Sequence, residues 1–306
     1  MLDLCGMALA DIKNKIIRTP ADPERTFDDD PLRIVRCIRF ACSFGWEIHP
    51  ETMVALKKNP ASIKIASKER IRSEFDKLIS CQAPAKALEM LEQCGIMSVI
   101  MPELSPIFGM PDNSSNQGSV WQHTLRTVKA MAGISSDVNM RLAALLCDAG
   151  KALAYTRHDN GKVTFPRHDR RAVPVIDPAM KRLRYEPKII NNIIFLARNH
   201  TAAKKWGDNA ENMSDADLRS LQYLCETRDR FERLLTLIHA DNLSHTEQPS
   251  LAGQVPAIRK RAAEFKASGT EMFGFNLPIQ SLHIRKLLQI QPGQKVEHCK
   301  DYLMKC

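Results

Sequence analysis

The sequence predicts an all-α protein, and three observations carry that reading. Apolar residues recur at intervals of three and four along most of the chain, the period of a helix face. Strand signals are scarce; the best is TRHDNGKVTF (156–165), where Asn160-Gly161 suits a tight hairpin turn. Aromatic residues make up only 6% of the 306, and strands favour aromatic and β-branched side chains.

Taken in order, FDDDPLRIVRCIRFA (27–41) opens a helix. Asp30 is suited to the N-cap and Pro31 to the first helical position, and Leu32, Val35, Ile38 and Cys42 then step along one face. Ile71, Phe75, Leu78 and Ile79 repeat the pattern. LAALLCDAG (142–150), IINNIIFLA (189–197) and RLLTLIHADNL (233–243) read as further buried helices. Breakers cluster in MPELSPIFGMPDNSSNQGS (101–119), which predicts a domain boundary, with weaker breaks at 245–256 and 274–280.

Charge and composition narrow the function classes. The chain carries 44 Lys+Arg against 35 Asp+Glu, a formal net charge of +9, which suits an acidic partner such as nucleic acid. Arg157, Lys162, Arg167, Arg170, Arg171, Lys181, Arg182, Arg184 and Lys188 make 157–190 locally basic, as a solvated helix face or a phosphate-binding surface would be. At 44% hydrophobic the chain is not a disordered one. No apolar run reaches the roughly 18 residues of a membrane span. The start, MLDLCGMALADIKNK, has no secretory pattern, so a cytoplasmic protein without a membrane partner is expected. Nine cysteines without a CxxC pair predict reduced, mostly buried thiols.

The DDPLR segment carries the first chemistry. Arg33 follows Asp30 by three residues, close enough to pair at the helix start, so by itself the motif is a capped helix with a surface ion pair. It also suits base recognition. Adenine and cytosine both present an amine donor beside a ring-nitrogen acceptor; a carboxylate accepts from the first and a guanidinium donates to the second. Uracil and guanine reverse that order. Good bidentate pairs of this kind discriminate by about 1–3 kcal/mol.

IIRTPADPERTFDDDPLRIVRCIRFACSFGWEIHPET followed by IASKERIRSEFDKLI resembles the class II CCA-adding enzymes and bacterial poly(A) polymerases. The resemblance implies a multi-helix neck and body in which Asp29, Asp30 and Arg33 act as a protein template for incoming ATP and CTP. Asp29 stands where most members have Glu. It implies that Glu69 and Arg70 brace the neck, and that Asp3, Gly6, Asp11 and Arg18 belong to a flexible segment between head and neck. Partners implied are tRNA, ATP and CTP. The family's catalytic head, with its glycine-containing loop and its Asp-x-Asp pair for two magnesium ions, has no counterpart in these 306 residues. No catalytic residue is therefore assigned, and a separately encoded head is one expectation.

SVWQHTLRTVKAM (119–131), LAALLCDAGK (142–151) and HADN (239–242) resemble an HD domain, a metal-dependent phosphohydrolase fold. The resemblance implies a metal set of His123, Asp148, His168 and Asp241, with His200 as a further histidine and Mg2+ or another divalent ion as cofactor. It is a degenerate set: Cys147 replaces the His of the dyad, and in its apolar run it reads equally as a small buried hydrophobe. LPIQSLHIRKLLQIQPGQKVEHC (277–299) resembles the family's helical tail, with Ser281 and His283 in place of the usual Gly and Asp. The implied organisation is linker at 1–25, neck and body at 26–110, HD-like domain at 111–248 and tail at 249–306. The implied function is the base-recognition and tRNA-binding portion of a tRNA nucleotidyltransferase. A metal-dependent HD phosphohydrolase and a non-catalytic RNA-binding remnant are the alternatives.

Overall fold

A computed structural model describes residues 6–112, 118–207, 213–245, 249–269, 273 and 299. The described chain is all-α, with two pairs of two-residue strands. It forms two compact units, Met1–Asn199 and His200–Cys306.

The first unit begins with α1 (Ala8–Asn14), β1 (Ile16–Ile17) and α2 (Pro23–Asp29), followed by α3 (Leu32–Phe44), β2 (Glu47–Ile48) and α4 (Pro50–Lys58). β1 and β2 pair in parallel, Ile16 with Glu47 and Ile17 with Ile48, and so tie α1 to the end of α3. Arg18 donates to both carboxylate oxygens of Asp11, at 2.9 and 3.2 Å, holding the segment after β1 onto α1. Asp3 lies outside the described residues.

α3 buries Leu32, Ile34, Val35, Cys37, Ile38, Ala41 and Cys42 against α5 (Lys68–Ile79) and α6 (Pro84–Gln93). Each fully buried Leu or Ile here contributes about 1.5–3 kcal/mol. The opposite face keeps Arg33 and Arg36 exposed. α5 returns Ile71, Phe75, Leu78 and Ile79 to the same core, as their spacing predicts, and Ser67 caps it by accepting from the Arg70 N–H. Its C-terminus is closed from a distance. Arg141, buried, donates from Nη1 to the carbonyls of Ile79 and Cys81 at 2.9 and 3.0 Å, and from Nε to that of Ser135.

Over residues 101–112 the breaker-rich segment sends apolar side chains into the core. Met97 and Ile100 of α7 (Met97–Ile100), then Met101, Leu104 and Ile107 in the 3-10 turn Pro102–Ile107, are all buried. Arg182 holds that turn, donating to both oxygens of Glu103 at 3.0 and 2.7 Å and to the Ile100 carbonyl. The two compact units divide at Asn199/His200, which does not coincide with the boundaries expected at 110/111 and 248/249. Proline and glycine punctuate a chain whether it turns inside a core or leaves one; burial of the neighbouring apolar residues decides which.

The rest of the unit is α8 (Val120–Ile134), α9 (Val138–Leu146), α10 (Lys151–Ala154), the hairpin β3 (Thr156–Arg157) and β4 (Val163–Thr164), α11 (His168–Arg171), α12 (Val173–Arg182) and α13 (Pro187–Asn199). Ser119 and Gln122 form a reciprocal capping box at the start of α8. The hairpin is antiparallel as its sequence predicts, with Gly161 in the left-handed region at φ 78°. α9 is buried on nearly all sides, from Met140 to Leu146, and packs on α8 and α13.

The second unit contains α14 (Asp215–Cys225), α15 (Arg228–Ser244) and α16 (Gln254–Ala267). Gln254 is buried and bonded, giving its amide hydrogens to the carbonyls of Ala203 and Gly207 while its oxygen accepts from Asn242. Ser281, His283 and the rest of the expected tail motif up to residue 298 lie outside the described residues.

Cys37, Cys42, Cys81, Cys94, Cys147 and Cys225 are free and buried, as the cysteine pattern predicts. Burial pushes the thiols of Cys37 and Cys225 up to about 12 and that of Cys42 up to about 11, so they stay protonated at neutral pH.

Candidate functional site

Two constellations were legible in the sequence, and both lie at helix ends in the first unit. At the junction of α2 and α3, Asp30 is extended (φ −149°, ψ 99°) and Pro31, rather than Asp30, is the residue immediately before the helix. Asp30 still closes the first turn: its Oδ1 accepts from the Leu32 N–H at 3.3 Å and its carbonyl from the Arg33 N–H at 2.9 Å. Proline has no N–H to give, so the capping bonds pass over it.

The expected Asp30–Arg33 ion pair is not the one formed. Arg70 Nη2 donates to both carboxylate oxygens of Asp30, at 3.1 and 3.2 Å. Arg33 donates from Nη1 to the Thr26 carbonyl in α2, at 3.2 Å. Spacing put Arg33 within reach of Asp30, but α5 brings a second guanidinium from 40 residues away, and the α2 C-terminal turn offers Arg33 a carbonyl. The remaining Arg33 N–H groups and the Asp29 carboxylate have no protein partner among the described residues. A donor and an acceptor thus face solvent at one helix junction, the complement of the amine and ring-nitrogen edge of adenine or cytosine. Glu69 lies 3.9 Å from Arg184; both are exposed, so solvent screens the pair.

The second constellation is built around Asp148, buried in the turn between α9 and α10. His123 of α8 places Nε2 3.1 Å from Asp148 Oδ2, and His168, the first residue of α11, places Nε2 3.3 Å from Oδ1. His168 Nδ1 donates to the Phe165 carbonyl at 3.1 Å. In the neutral ring that bond leaves the Nε2 lone pair facing Asp148, the arrangement of two ligands that share a cation. Two imidazoles and a carboxylate suit a borderline divalent ion.

Lys151 was not anticipated. Its buried ammonium lies 3.1 Å from Asp148 Oδ2 and 3.1 Å from Asp112 Oδ2, bridging two buried carboxylates. Its place three residues after Asp148 was the available signal, since that spacing puts the two on one helical face. Asp112 gave none, because the segment that carries it reads only as breakers. Cys147 is buried, and its thiol donates to the Ala144 carbonyl one turn back, as a small helix-end residue does. Asp241 belongs to the second unit, on α15, where His245 Nε2 lies 3.8 Å from it; His200, also buried, opens that unit.

Comparison with known proteins bears on the helical stretch that carries Glu69 and Arg70. A family pattern described as "Probable RNA and SrmB- binding site of polymerase A" matches residues 45–108, the stretch from the end of α3 through α7 and its following turn. A multifunctional CCA protein of Alkalilimnicola ehrlichii is 29% identical over 208 residues, covering 64% of this chain and 48% of that protein. One from Shewanella frigidimarina is 33% identical over 191 residues, covering 58% of this chain and 43% of that protein. Over part of its length this chain is similar to multifunctional CCA proteins. It spans less than half the length of those two curated relatives. The fold agrees: a Bacillus stearothermophilus CCA-adding enzyme in complex with CTP matches with a TM-score of 0.59 at 20% identity, over 98% of this chain and 62% of that one. A Thermotoga maritima CCA-adding enzyme complexed with tRNA matches at 0.54 and 15% identity, over 98% and 61%. None of these comparisons supports a separately encoded catalytic head. Among the described residues no helix is long and apolar enough to cross a membrane.

Proposed function

We propose that this chain is the base-recognition and RNA-binding part of a tRNA 3′-end nucleotidyltransferase of the CCA-adding or poly(A) polymerase type. The observation that carries it is the α2–α3 junction. Asp29 and the remaining N–H groups of Arg33 are left open, and Arg70 fixes Asp30 so that the junction keeps its shape. Asp29, Asp30 and Arg33 read the Watson–Crick edge of ATP or CTP there, and Glu69 and Arg70 brace the helix behind them. In this reading 1–25 is a linker, 26–110 the nucleotide- and RNA-contacting body, 111–248 an HD-like domain and 249–306 a tail, in a cytoplasmic protein.

Titration of the chain with the four nucleoside triphosphates tests the template. ATP and CTP are expected to bind more tightly than GTP and UTP, and Arg33→Ala should erase the difference, a change of about 1–3 kcal/mol. An Arg33→Ala variant that still prefers ATP and CTP as the parent does would remove the assignment.

RNA is held by phosphate contacts. Arg157, Lys162, Arg167, Arg170 and Lys188 are exposed and have no ion-pair partner among the described residues, whereas Arg182 is spent on Glu103 and Lys181 on Asp177. Cations that the fold leaves unpaired are free to release counterions from RNA. Binding of a tRNA should weaken by an order of magnitude or more between low and physiological salt. A salt-independent affinity would exclude this surface. His123, Asp148 and His168 would hold a divalent ion, which supplies polarisation of a bound water, with the Lys151 ammonium as its competitor for Asp148.

A further inference from the structure

Asp148 already has a cation. Lys151 Nζ and His123 Nε2 both lie 3.1 Å from the same carboxylate oxygen, Oδ2, while His168 Nε2 faces Oδ1. The ammonium, the two carboxylates that it bridges and the His123 imidazole are all buried, so water does little to screen their charges. An ion shared by His123 and Asp148 must therefore take an oxygen that the ammonium holds. Two positive charges at one buried carboxylate repel each other, and the ion enters only as Lys151 withdraws.

The surrounding residues give Lys151 a place to withdraw to. Its ammonium is also 3.1 Å from Asp112 Oδ2 and 5.2 Å from the centroid of the Phe165 ring, whose face attracts a cation. Asp112 is held in place, since its N–H donates to the Gly118 carbonyl at 3.0 Å. The Arg126 guanidinium also lies near enough to feel the Asp112 charge.

We infer that Lys151 is the resident cation of this centre, an ammonium that a divalent ion must displace from Asp148 onto Asp112 and Phe165, and that it sets the affinity of the site for metal. The inference rests on the reading of His123, Asp148 and His168 as a cation-holding set, and goes beyond it in making Lys151 the residue that decides occupancy. The ammonium joins the two carboxylates by itself, so the chain keeps this arrangement without a divalent ion.

Co2+, a borderline ion suited to two imidazoles and a carboxylate, is the probe. Its visible absorption and calorimetry report binding to the full 306-residue chain with the thiols kept reduced. Asp112→Asn/Lys151→Met is the decisive variant. It removes one negative and one positive charge, so the net charge around Asp148 stays that of the parent and a change in affinity reports the ammonium itself. The double variant should bind Co2+ one-to-one and about tenfold or more tighter than the parent, the scale of one hydrogen bond between charged groups. His168→Gln placed in the double variant should remove the gain. Co2+ should raise the melting temperature of the double variant, while the parent should melt alike in Co2+ and in EDTA. Equal affinity in parent and double variant, lost in both with His168→Gln, would overturn the inference and leave the cation-holding set standing. No saturable binding by the double variant, or binding that ignores His168→Gln, would overturn the set and the inference with it. Circular dichroism shows whether the double variant folds. If it does not, Lys151→Gln, whose amide still donates to a carboxylate, takes its place; Co2+ binding no tighter than the parent's would then overturn the inference.

Discussion

Replacing Lys151 by alanine is expected to destabilise the protein by about 3–5 kcal/mol, the loss that follows when one partner of a buried ion pair is removed. The ammonium lies 3.1 Å from a carboxylate oxygen of Asp112 and 3.1 Å from one of Asp148, and all three side chains are buried. Without it, Asp112 and Asp148 both lose the buried ammonium that bridges them. Domains of this kind are stable by only about 5–15 kcal/mol, so the variant should unfold at markedly lower urea concentration. The mechanism makes a second, sharper demand. Asp112→Asn combined with Lys151→Met removes a charge from each side, and the double variant should be more stable than Lys151→Met alone. Independent, additive losses would show that the pair is not coupled. A Lys151→Ala loss below about 1 kcal/mol would place it with surface pairs and refute the account.

Gly150→Ala comes next in size, for a reason of space rather than conformation. Gly150 has ordinary right-handed dihedrals, φ −68° and ψ −14°, which alanine adopts freely. A Cβ there would lie 2.0 Å from the His168 carbonyl oxygen, 2.5 Å from the Ala172 nitrogen and 2.8 Å from the Arg171 carbonyl carbon. All three are backbone atoms, so the start of α10 and α11 must part. The expected loss is about 3 kcal/mol, the upper end for an added group in a packed region. His168 moves with α11, so its imidazole proton resonances should shift as well. Gly133→Ala is the control: nothing lies within 4 Å of its Cβ, and near the end of α8 it should be neutral or stabilising by up to about 1 kcal/mol. Similar effects at the two glycines would mean that α10 and α11 do not approach as closely as described.

Periodicity was enough to find α3, α5, α9, α13 and α15, because each buries a wide face and apolar spacing records burial directly. The Asn160-Gly161 hairpin was legible for a local reason, since a left-handed residue at Gly161 is what such a turn requires. Asp29, Asp30 and Arg33 stand in the sequence as residue types in a pattern. Their wiring does not. Which guanidinium reaches Asp30 depends on where α5 crosses α3, a distance of 40 residues along the chain, and spacing reports only on neighbours within one helix.

The same limit separates the rest. The sequence by itself determined an all-α protein with reduced, mostly buried thiols, a locally basic stretch, and His123, Asp148 and His168 as polar residues of one candidate set. Only the tertiary structure decided that Asp148 joins both imidazoles to Lys151, and that Arg141 closes α5 from outside it. Only the structure decided that Met101, Leu104 and Ile107, in the proline-rich stretch before Asp112, pack into the core. Local pattern fixes which faces must leave water; a buried charge is settled by whatever partner the packed helices bring to it, and that partner can come from anywhere in the chain.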